Sequence, residues 1–153
     1  MKPKRILLVE DNPRDRELAL DALREHHVVN EVVSLRDGAE ALDYLYRRGE
    51  FAGRKDADPV VILLDLKMPR VDGLEVLRQL KADPQLKVIP VVMMTSSREE
   101  QDLVNSYRLG VNAYVVKPLG FQEFIDAIKV LGAFWVVLNE PAPGDSRAPL
   151  PTP

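Results

Sequence analysis

The chain has no cysteine. That absence excludes disulfides, thiolate metal sites and a cysteine nucleophile, and it fits a reducing compartment. Histidine is nearly absent too, occurring only as the adjacent pair His26 and His27 at the expected end of a first helix. Neighbours in sequence do not share a helix face, so the pair reads as charge near a helix C-terminus and not as metal ligands. The N-terminus is basic but passes only a handful of apolar residues before Glu10, far short of a signal peptide or a membrane span. A cytoplasmic protein with no membrane partner is expected. There is also no excess of positive charge. With 21 basic and 24 acidic side chains the formal net charge is -3, which offers nucleic acid no electrostatic footprint.

What is present is enough apolar material for one core, 46% of 153 residues. Short apolar runs alternate five times with amphipathic stretches, the pattern of a doubly wound α/β fold. Strands are expected at Arg5–Glu10, Glu31–Leu35, Val60–Asp65, Val88–Met94 and Ala113–Val116. Asn12 and Pro13 form a cap and first-turn pair, after which Leu18, Ala19, Ala22 and Leu23 recur at helical spacing. Asp37 with Glu40, and Ser97 with Glu100, have capping-box spacing for the second and fourth helices. Asp72 caps a third helix carrying Leu74, Leu77 and Leu80, which should stop near Asp83 and Pro84. The polar stretch RRGEFAGRKDADP, residues 47–59, reads as a long surface loop. Residues 140–153 are dense in proline and read as an extended tail.

The chemistry lies at the strand ends. ILLVE ends at Glu10 with Asp11 beside it, and VVILLD ends at Asp65. Fully apolar runs of that length read as buried parallel strands, whose carboxyl ends are where open α/β sheets bind ligands. Two like charges about 4 Å apart cost roughly 4 kcal/mol at an effective dielectric near 20, so such carboxylates must bind a cation or take up protons. A divalent metal site follows. Thr95 ends the fourth run and Lys117 the fifth. Metal, hydroxyl and ammonium together suit a phosphoryl group, whose oxygens need neutralisation during transfer. An aspartate can itself be the nucleophile and form an acyl phosphate, and Asp65 ends the most central run.

With these motifs in order, VEDNP, LLDLKMPRVDG, Thr95 and VVKP, the chain resembles the response-regulator receiver domains of two-component signalling over about residues 5–131. The resemblance implies an α/β fold with a five-stranded parallel sheet in the order 2-1-3-4-5, flavodoxin-like in three layers, with an extended fifth helix. It implies that Asp65 is the phosphoacceptor and that Glu10, Asp11, Asp65 and the Lys67 backbone carbonyl hold Mg²⁺. Thr95 would be the switch hydroxyl, Tyr114 the switch aromatic and Lys117 the phosphate-sensing lysine. Residues 1–139 would form the receiver domain, with 140–153 as the flexible tail and no effector domain following. The partner implied is a sensor histidine kinase. The loop after the second helix and the ending AFWVVLNEPAP are similar to the small regulators paired with bacterial phytochromes, which points to a bacteriophytochrome as that kinase.

Three other functions share parts of this pattern. A flavodoxin-type FMN carrier needs a Ser/Thr/Gly phosphate loop after the first strand, where this chain has acids. An aspartate-nucleophile phosphatase needs a second carboxylate two residues after Asp65, where this chain has Lys67. A dimerisation module that has lost phosphorylation should lack a site residue, and none is missing. A homodimer is expected in addition. Ile128, Leu131, Trp135 and Leu138 form the sheet-facing stripe of a fifth helix, while Ala127, Val130, Phe134 and Val137 form a second stripe that a two-layer contact leaves uncovered.

Overall fold

The computed structural model describes residues 5–25, 31–96, 105, 107–111, 113–117, 122–123 and 126. Its strands are β1 (Arg5–Val9), β2 (Glu31–Leu35), β3 (Val61–Asp65), β4 (Val91–Thr95) and β5 (Ala113–Val116). They form one parallel sheet in the order β2-β1-β3-β4-β5. The β3 and β4 strands are buried along their whole length, as strands covered on both faces must be. Ile6, Leu8, Val61, Leu63, Val92 and Met94 point to one side, against Ala19 and Leu23 of helix α1 (Pro13–Glu25). Their neighbours Leu7, Val9, Ile62, Leu64, Val91 and Met93 point to the other, against α2 (Gly38–Tyr46) and α3 (Gly73–Ala82). Helices on both faces make three layers, and the sheet order turns around between β1 and β3, so their carboxyl ends face one crevice.

Helix starts follow local chemistry. Asn12 Oδ1 accepts from the Asp15 N–H at 3.0 Å, Asp37 Oδ1 from Glu40 at 2.9 Å, and Asp72 Oδ1 from Glu75 at 3.0 Å. The α2 capping box closes one residue early, because Glu40 Oε1 accepts from the N–H of Arg36 and not of Asp37. Asp37 is also held by a two-point contact from Arg70, which ties the β2–α2 and β3–α3 loops together.

Three expectations change. The fourth strand begins at Val91, not Val88, because Leu86–Val88 is a 3₁₀ turn and Pro90, lacking an N–H, leads into the strand with only its carbonyl bonded, to Ile62. Leu18, placed on the apolar side of α1 by its spacing, is exposed. The 47–59 loop is more than a surface connection. Arg54, whose side chain is 6% exposed, lies 4.1 Å over the Tyr44 ring and donates to the carbonyls of Tyr44, Asp56 and Ala57. Asp56 and Asp58 pair with it, Phe51 meets Tyr44 edge to face, and Arg5 links Asp56 to Glu31. Arg5 and Glu31 begin their strands, so this knot closes the end of the sheet opposite the acidic crevice. The expected fourth-helix cap at Ser97, both histidines, the second stripe with Val130, Phe134 and Val137, and the proline-rich tail lie outside the described residues.

Candidate functional site

Three carboxylates meet where β1 and β3 end. Glu10, Asp11 and Asp65 each bring a carboxylate oxygen within 4.8 Å of the others. Glu10 is fixed on several sides: its N–H donates to Leu35, its carbonyl accepts from Arg16, and its Oε2 accepts from the Asn12 N–H. Asp65 stays at the end of β3 because the next N–H, that of Leu66, continues the ladder to Met94. Gly73 is needed just behind it, since a Cβ there would stand 2.2 Å from the Asp65 carbonyl oxygen. Glu10 and Asp65 are buried, whereas Asp11 is half-buried and leaves the cluster open on its side.

Lys117 balances this charge. Its backbone N–H donates to the Thr95 carbonyl at 2.8 Å, which extends the β4–β5 pairing by one step and sets the lysine beside buried Thr95. Its Nζ then reaches Glu10 Oε1 at 3.0 Å and Asp65 Oδ1 at 3.3 Å. One ammonium cannot neutralise the whole cluster, and the consequence falls on Asp65. Burial, reinforced by the charge of Glu10 and opposed by Lys117, pushes its carboxyl from an ordinary 3.8 to about 8. The Lys117 ammonium is also pushed up, but by its anionic neighbours and against the effect of burial. Burial alone would favour the neutral amine, but its bonds to Asp15 and Glu10 and the charge of Asp65 hold it protonated well above the usual lysine range. The arrangement is hard, oxygen-rich and short of positive charge, which is what a divalent cation of the Mg²⁺ or Mn²⁺ type requires.

Tyr114 lies one strand further out, half-buried against the α2–α3 side of the core, with its ring stacked at 6.4 Å on exposed Tyr107. Lys67, two residues past Asp65, is exposed. The structure therefore brings Glu10, Asp11, Asp65 and Lys117 into direct contact range, with Thr95 adjoining and Tyr114 on the neighbouring strand.

A family profile for the response regulator receiver domain matches residues 6–129. The chain belongs to that family. Among receivers, response regulator Rcp1 of Synechocystis sp. is 40% identical over 134 residues, spanning 88% of this chain and 90% of that protein. A solved Mn²⁺-bound form of Rcp1 matches at a TM-score of 0.72 and 37% identity, covering 98% of this chain and 100% of that one. The bacteriophytochrome response regulator AtBRR is 61% identical at a TM-score of 0.83, over 92% of this chain and 100% of that one. The phosphorylated cyanobacterial phytochrome response regulator RcpA gives 42% and 0.73 over 98% and 99%. This receiver is thus a response regulator of two-component signalling, close to phytochrome-associated members.

Sequence reasoning missed one member of the receiver's site. Asp15 Oδ2 lies 2.9 Å from Lys117 Nζ, the shortest of the lysine's ion pairs. Its signal was present but local: a helix opened by Pro13 places Asp15 in its first turn, at the same end of the sheet as Glu10. That Lys117 would reach it depends on how β5 sits against β1 and β3, which no local pattern encodes.

Proposed function

We propose that this receiver takes a phosphoryl group from the phosphohistidine of a sensor histidine kinase onto Asp65. The observation that carries the reading is Lys117 Nζ held between Glu10 and Asp65 at the mouth of a buried carboxylate cluster, with Thr95 adjoining. In the transfer an Asp65 carboxylate oxygen forms the new bond to phosphorus as the bond to the kinase histidine breaks. Lys117 and the Thr95 hydroxyl are the groups placed to receive the phosphoryl oxygens. Glu10, Asp11, Asp65 and the Lys67 carbonyl form the ligand set for Mg²⁺, a choice supported by their all-oxygen chemistry and by the Mn²⁺-bound form of Rcp1. When bound, the ion would offset the crowded charge, return Asp65 to its ionised form and draw charge from the phosphoryl oxygens.

Lys117 and Thr95, drawn toward the phosphoryl group, would change the packing beside Tyr114, favour an inward ring and reshape the surface of the expected fourth helix, β5 and the expected fifth helix, a population shift rather than a new fold. Phytochrome-type kinases are the favoured donors because AtBRR and RcpA bear phytochrome names and this chain covers both almost completely. The apolar stripe of Val130, Phe134 and Val137 supports a homodimer, and a cytoplasmic setting agrees with the described helices, none of which is long and apolar enough to cross a membrane. The test is intact-mass measurement after incubation with acetyl phosphate and Mg²⁺. One phosphoryl increment is expected on the parent protein and none on Asp65→Asn. An unmodified parent, or a variant modified to the same extent, overturns the reading.

A further inference from the structure

We infer that Asp15 is a positioning residue that restrains Lys117 and so weakens this receiver's hold on a phosphoryl group. The inference rests on the phosphoacceptor reading of Asp65 and goes beyond it by naming what limits the lysine. An ammonium has three N–H donors and no acceptor. In Lys117 they face three carboxylates, Asp15 Oδ2 at 2.9 Å, Glu10 Oε1 at 3.0 Å and Asp65 Oδ1 at 3.3 Å.

These partners are not equivalent. Glu10 and Asp65 belong to the oxygen cluster that can hold a divalent ion, and Asp15 does not. Whatever cation occupies that cluster competes with Lys117 for Glu10 and Asp65 but leaves Asp15 untouched. Asp15 is then the carboxylate that retains the lysine. It is also well anchored: its N–H donates to the Asn12 side chain, so the first turn of α1 fixes where its carboxylate stands. A phosphoryl group on Asp65 must therefore draw Lys117 against this contact, and must do so with a further negative charge near the incoming anion. Burial sharpens the comparison. The Asp15 side chain is 29% exposed against 5% for Asp65 and 1% for Glu10, so its grip is screened and can be removed without leaving a buried cation unpaired.

The experiment uses beryllofluoride, a stable mimic of a phosphoryl group on a carboxylate, titrated into the full chain at saturating Mg²⁺. Mg²⁺ affinity is measured separately by calorimetry. Asp15→Asn should lower the dissociation constant for beryllofluoride by about threefold, the scale of a partly exposed ion pair. Asp15→Glu, which keeps the charge, should restore most of the parent value. In a Lys117→Ala background Asp15→Asn should have no such tightening effect, an outcome a purely structural role for Asp15 would not produce. A parent protein that fails to bind beryllofluoride overturns the phosphoacceptor reading and this inference with it. A parent that binds while Asp15→Asn binds equally or more weakly, or that shows the same tightening without Lys117, overturns the inference alone.

Discussion

Asparagine at position 65 keeps the shape of the side chain and removes a charge that the site accommodates poorly without a cation. The carboxyl of Asp65 sits at about 8 in the folded protein against an ordinary 3.8. Since the folded-state value is the higher one, the proton on Asp65 stabilises the fold below pH 4 or so, and this contribution fades as pH rises through about 8. Each pH unit between those values is worth about 1.4 kcal/mol, which sets a ceiling near 6 kcal/mol. The realised effect is smaller. Half-buried Asp11 lets water reach the cluster and screen its charges, so about 2 kcal/mol is expected to survive. For a domain of this size that is about 4–8 °C of melting temperature. Thermal melts in EDTA at pH 5 and pH 9 should show Asp65→Asn and the parent nearly equal at the lower pH, with the variant more stable by that margin at the higher. Mg²⁺ at a hundred times its dissociation constant should then return about 2.7 kcal/mol to the parent, and much less to the variant. A metal-free variant that melts at or below the parent at pH 9 would refute the argument that Asp65 is a strained carboxylate.

Other consequences are independent of that one. Lys67→Asn should speed dephosphorylation, because the long cation beside Asp65 screens the acyl phosphate or obstructs attacking water; phosphoprotein decay that is unchanged or slower removes that role. Arg54→Ala should cost about 3 kcal/mol in urea unfolding, since it strips Asp56 and Asp58 of a buried partner and opens the face of Tyr44; a loss under about 1 kcal/mol would mean the knot is ornamental to stability. Phe134→Asp should convert a dimer to a monomer in sedimentation at tens of micromolar without unfolding it, and a parent already monomeric there, with and without phosphorylation, contradicts the apolar-stripe interface.

The elements most legible in the sequence were those with one dominant local cause. The runs ILLV and VVILL are apolar throughout because both faces are covered, and Asn12, Asp37 and Asp72 cap helices through their own side chains. The acidic trio was legible because strand ends inherit their position from the strands. What escaped were features decided by contacts between distant segments. Val88 is apolar yet exposed, because Pro90 and not hydrophobicity fixes where β4 starts. Residues 47–59 have the composition of a loop, and only the fold shows Arg54 seated on Tyr44. Asp15 looks like an ordinary first-turn acid, favourable to the helix dipole, until Lys117 arrives from 102 residues away.

The most direct test of the central claim is to locate the phosphoryl group chemically. After phosphorylation with acetyl phosphate and Mg²⁺, borohydride reduction converts an aspartyl phosphate to homoserine, and peptide mass mapping then reads which aspartate was modified. Homoserine at position 65, with Asp11 and Asp15 intact, is the predicted result. Homoserine at Asp11 or Asp15, or a phosphorylated chain with no reducible acyl phosphate, would contradict the account.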